Sequence, residues 1–135
     1  MRKVSKKVFA LIMSVMLVMS LPMTVGAKTG TFTTVGSAYC RSWDYSLFST
    51  KVASAFYRLT GKLSQPGQYK FDEVEMELTL FCSGRTNIVK NKTVEDAFKL
   101  TLTAEGAISQ SPGYGSIYVH VEDDTYGNYT ATYFN

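Results

Sequence analysis

From Val74 to Cys82 the chain alternates between apolar and polar positions. Val74, Met76, Leu78, Leu80 and Cys82 fall on one side, and Glu73, Glu75, Glu77, Thr79 and Phe81 fall on the other. Side chains of a strand point to opposite faces in turn. The segment is therefore expected to be a strand whose inner face includes Cys82. The same period recurs in residues 97–105, where Phe98, Leu100, Leu102 and Ala104 oppose Lys99, Thr101 and Thr103. It appears again in residues 116–122, where Ile117, Val119 and Val121 oppose Tyr118, His120 and Glu122. Residues 128–134 are expected to return as the hairpin partner of that strand across the turn-rich 123–127. Residues 50–63 are also β-like, although adjacent Phe56 and Tyr57 leave their inner side open. Residues 31–35 suit an edge strand and residues 86–90 a short one.

No run of ten residues carries a helical stripe. Gly, Pro, Ser and Asn stand in the connections, where turns need them. Six to eight short strands at this spacing predict an all-β domain, a small antiparallel β-sandwich or barrel. An immunoglobulin pattern is not met. Trp43 follows Cys40 by three residues, not about a dozen, and Leu80 occupies the place of the corner tyrosine.

The first 27 residues have a different character. Arg2, Lys3, Lys6 and Lys7 precede an apolar run over residues 8–21, and Val25-Gly26-Ala27 supplies small residues for cleavage. That order predicts a secretory signal peptide of bacterial type over residues 1–27 and a single extracellular domain over 28–135. The apolar run is shorter than the roughly 20 residues of a membrane-spanning helix. Setting the leader aside changes the charge. Four of the 14 basic residues belong to it, so residues 28–135 carry 10 basic against 11 acidic side chains. Such a surface gives no electrostatic reason to bind nucleic acid or an anionic membrane.

Secretion bears on the two cysteines, Cys40 and Cys82, because disulfides persist outside the cell. A bond between them is expected on compartment and even count. It would close a loop of about 43 residues and contribute roughly 4 kcal/mol on the chain-entropy model.

The candidate chemistry is sparse. Neighbouring carboxylates of the Glu73, Glu75, Glu77 row lie roughly 6.8 Å apart along a strand. That spacing suits the two acids of an inverting glycosidase, but such a pair must face each other across a cleft. The row reads as a solvated face or as protection of a sheet edge, its repulsion relieved by Lys70 or by a cross-strand Lys99. Asp123, Asp124 and Asn128 group oxygen ligands on a bent loop, where calcium is the ion to expect if any binds. His120 is the sole histidine, and a zinc site of the usual His and Cys composition lacks ligands.

The aromatics remain: nine Tyr, eight Phe and one Trp. A domain of this size is not expected to bury them all. Exposed aromatics on a rigid β scaffold suit stacking on sugar rings or anchoring a protein contact. Tyr39, Trp43 and Tyr45, with Tyr114 and Tyr118 second, are the expected binding residues. The chain thus reads as a secreted, non-catalytic binding module for a polysaccharide or a protein partner. The alternatives are a small secreted effector, such as an antibacterial toxin or an enzyme inhibitor, and a compact glycosidase using Glu75 or Glu77.

Overall fold

A computed structural model describes residues 24–36, 38–82, 84–107 and 114–135. The basic stretch and apolar run of the expected signal peptide lie outside the described residues, as does most of the 108–114 connection. Among the described residues there is no helix long and apolar enough to cross a membrane. Eight strands follow one another: β1 (Thr24–Thr33), β2 (Ser42–Ala53), β3 (Phe56–Ser64), β4 (Phe71–Leu80), β5 (Ile88–Ala97), β6 (Lys99–Ala107), β7 (Gly115–Glu122) and β8 (Tyr129–Phe134). They form two antiparallel sheets of four, the first in the order β1-β2-β3-β6 and the second β5-β4-β7-β8. Residues 24–27, which the expected leader includes, are the first four of β1.

The period-two pattern places the core as expected. Val74, Met76, Leu78 and Leu80 of β4 and Ile117, Val119 and Val121 of β7 are fully buried. Each such side chain contributes about 1.5–3 kcal/mol by leaving water. They face Leu47, Leu59 and Leu63 of the first sheet across a shared core. Gly61 of β3 lets the sheets approach: a β-carbon there would stand 2.6 Å from Leu78 and 2.9 Å from the Met76 sulfur. Of the pair left open in the sequence, Tyr57 turns inward.

Four strands depart from expectation. β1 runs from Thr24 rather than from residue 31, and residues 50–63 are not one strand, since β2 ends at Ala53 and β3 begins at Phe56. β2 begins at Ser42, so Trp43, Tyr45, Leu47 and Ser49 alternate inward through a stretch expected to be surface. β5 runs ten residues rather than about five. It is an edge strand with most side chains exposed, so it lacks the alternation by which a half-buried strand is read. β4, in contrast, is central, between β5 and β7. Its acidic row therefore protects no edge.

The expected disulfide does not form. Cys40 is exposed on the β1–β2 connection, three residues before Trp43, whose indole meets Phe71 at the start of β4 at 4.9 Å. Cys82 is buried just past the end of β4, its backbone N–H donating to Asn87. The length of β4, roughly 30 Å, separates the two ends, whereas bridged cysteines have Cα atoms within about 7 Å.

The sheets also meet along one side. β1 and β8 are edges, yet Val35 bridges Asn128 beyond their ends. Phe32 stacks on Tyr129 at 4.1 Å and Tyr45 on Tyr133 at 3.8 Å. The Tyr129 and Tyr133 hydroxyls lie 2.7 Å apart. Burial, then contact with Tyr129, raises the phenol pKa of both Tyr45 and Tyr133 above the ordinary 10.0.

Candidate functional site

The five expected binding residues do not share a surface. Trp43 is wholly inaccessible, packed between Phe32 and Phe71, and Tyr45 is buried in the tyrosine seam. Both are core residues, because their odd positions in β2 point inward with Leu47. Tyr39 is 62% exposed, but on the β1–β2 connection, next to the β7–β8 turn. Tyr114 lies at the other end of the molecule, where its carbonyl accepts from the Phe81 N–H. Tyr118 stands between these ends, half-buried on the outer face of the second sheet and paired with Glu77.

That outer face is where the remaining candidates collect. Glu73, Glu75, Glu77 and Thr79 of β4 turn outward beside Glu122, His120, Tyr118 and Ser116 of β7. β5 adds Glu95 opposite Glu73, Thr93 opposite Glu75 and Asn91 opposite Glu77. β8 adds Thr130 beside His120, Thr132 beside Tyr118 and Phe134 beside Ser116. The face is graded. At one end lie five carboxylates and an imidazole; at the other, Phe81 and Phe134 stack with centroids 6.3 Å apart. Phe134 is 55% exposed and Tyr114, beside them, 49%.

The cations expected to relieve the acidic row are elsewhere. Lys70 reaches Asp96 at 3.4 Å, and Lys99 pairs with Ser64 in the other sheet. The only side-chain partners that His120 has in this arrangement among the described residues are the Thr130 hydroxyl, 2.8 Å from Nδ1, and Glu122, 3.3 Å from Nε2. Glu75 and Glu77 lie on an open sheet face and not across a cleft from a second acid.

The Asp123 loop has a structural task. Asp123 Oδ1 accepts from the Thr125 and Tyr126 N–H groups, and Oδ2 from Asp72. Asn128 Oδ1 accepts from the Asp123 N–H. Asp124 donates its own N–H to Asp72. The side-chain oxygens of Asp123 and Asn128 thus cap a turn, which is what Asp and Asn do at such positions.

A separate depression of about 410 Å³ opens on the first sheet among Thr29, Thr31, Asp44, Ser46, Lys62 and Ser64. It is open to solvent, Tyr45 also lines it, and Asp44 already accepts from Thr31 at 3.0 Å.

Sequence reasoning missed Phe81 and Phe134. Phe81 was legible, because it continues the odd-numbered face of β4; Phe134 required the register of β8. No family model, curated protein or solved structure matches the chain.

Proposed function

We propose that this chain is a secreted, non-catalytic binding module built as a two-sheet β-sandwich, and that it recognises a polysaccharide on the outer face of its second sheet. The observation that carries this reading is the exposed aromatic corner of Phe81, Tyr114 and Phe134, continuous with Tyr118 and the glutamate row. Sugar rings offer C–H faces that stack on aromatics, which are large, rigid contact surfaces. Their rims carry hydroxyls that donate to carboxylates in charge-assisted hydrogen bonds. Glu77 beside Tyr118, with Thr132 and Asn91 flanking, sets both kinds of contact side by side. An acidic face disfavours anionic polymers, so neutral or amine-bearing sugars are the preferred class. Secretion follows from the leader pattern, and cleavage after Ala27 would leave Lys28–Thr33 paired with β2.

Retention on cellulose, chitin, xylan and starch tests the reading. Binding to at least one of them, weakened in Phe134→Ala, is expected. Failure on every glycan would overturn it and leave a protein partner to be sought on the same face.

A further inference from the structure

We propose that Glu73, His120 and Glu122 form a binding site for a divalent first-row transition-metal ion of the zinc class. Two neighbouring strands supply the ligands. Glu73 of β4 and Glu122 of β7 are directly paired, and His120 lies two residues along β7 on the same outer face. One ligand atom from each falls within 4.8 Å of the others. Zinc bonds to imidazole nitrogen and carboxylate oxygen are about 2.0–2.2 Å, so ligands at tetrahedral angles on one ion stand roughly 3.4 Å apart. Half-exposed glutamates close the remaining gap, at most about 1.4 Å, by rotation about their side-chain bonds.

The imidazole is already oriented for this task. Thr130, on the third strand of the row, holds Nδ1 at 2.8 Å and so aims Nε2 at the carboxylates. A threonine hydroxyl both donates and accepts. With the ring proton on Nε2, Nε2–H donates to Glu122 while Nδ1 accepts from Thr130. With the ion, the ring proton resides on Nδ1 and is donated to Thr130, and the Nε2 lone pair binds the metal. Outer partners of this kind fix the tautomer and orientation of ligating histidines.

The electrostatics favour a dication. The cross-strand neighbours of Glu73 are Glu95 and Glu122, with no lysine or arginine at either position. Two carboxylates neutralise the charge of a divalent ion. One nitrogen and two oxygens form a borderline donor set, which suits zinc, copper or nickel better than the all-oxygen shell of calcium. Three protein ligands leave a coordination position for water. The site lies at the opposite end of the face from Phe134, so it stands whether or not sugars bind there.

Because His120 is the only histidine, its ring signals report the site without ambiguity. Titration of the full chain with zinc chloride, followed by ¹⁵N imidazole NMR and calorimetry, tests the proposal. The expected result is one ion per chain, with a shift of the Nε2 resonance and no displacement by excess calcium. His120→Gln is expected to abolish binding and Thr130→Val to weaken it roughly tenfold. Far-UV circular dichroism checks the fold, which these outward positions should leave intact. An imidazole signal unmoved by zinc, equal binding by His120→Gln, or full competition by calcium would each overturn the proposal.

Discussion

The two sheets turn unlike faces to solvent. On the first, several charged groups have a partner within the face. Arg58 pairs with Glu105, Thr31 donates to Asp44, and the Lys62 ammonium lies 5.4 Å from the Phe48 ring centroid. Threonines and serines fill the positions between. On the second, Glu73, Glu75, Glu77, Glu95 and Glu122 gather around His120 with no cation in the cross-strand positions, and the aromatics at the far end stay exposed. Both faces cover the same core, so folding does not account for the difference. A face whose charged groups already have partners has less left to offer a ligand. A face with unmatched charge and exposed rings keeps that capacity, and repulsion and exposed apolar area are its cost in stability.

The contrast fails if the two faces cannot be perturbed separately from the core they share. The largest effect belongs to Trp43→Ala. It empties the site between Phe32 and Phe71 and should cost about 3–5 kcal/mol, read as a lower urea midpoint, with both faces lost together. Alkali comes next and attacks the seam that joins the sheets. The phenols of Tyr45 and Tyr133 have folded pKa values above the ordinary 10.0, so folding favours their protonated forms. Their contribution is full below pH 10 and declines as pH rises above it towards the folded values. The melting temperature should therefore fall as the pH rises above 10, and their ionisation should lag behind that of a free phenol in ultraviolet titration.

Asp123→Ala is smaller. It removes the acceptor of two backbone N–H groups at the β7–β8 turn and of the Asp72 N–H in β4, and should cost about 1–3 kcal/mol in chemical denaturation. Phe134→Ala sharpens the contrast most cleanly. Its ring is largely exposed, so stability should hardly change while affinity for the retained polysaccharide drops about tenfold. The smallest effect is expected for Glu105→Gln on the matched face. An exposed ion pair contributes at most about 1 kcal/mol, and polysaccharide retention should be unaltered.

Most of the second sheet was legible in the sequence, because β4 and β7 are central strands whose inner faces are uniformly apolar. Val74 to Leu80 and Ile117 to Val121 alternate without exception, and that pattern fixes which face each strand buries. β2 carries the same signal in Trp43, Tyr45 and Leu47, but reading its aromatics as surface groups concealed it. β5 could not be read this way, since only Ile88, Val94 and Ala97 of this edge strand reach the core and they do not alternate. The disulfide failed for another reason. An even count and a secretory leader describe an environment, whereas pairing depends on which ends of the strands meet. The site was the least legible part, because Glu73, His120 and Phe134 belong to three strands that only register brings together.

The most direct measurement is amide chemical-shift mapping of the ¹⁵N-labelled protein with hexasaccharides of β-1,4-linked glucose, N-acetylglucosamine and xylose. Shifts concentrated at Glu77, Phe81, Tyr114, Tyr118 and Phe134 are expected with at least one of them. Shifts confined to Thr31, Asp44 and Lys62, or no shift with any sugar, would contradict the assignment of recognition to the second sheet.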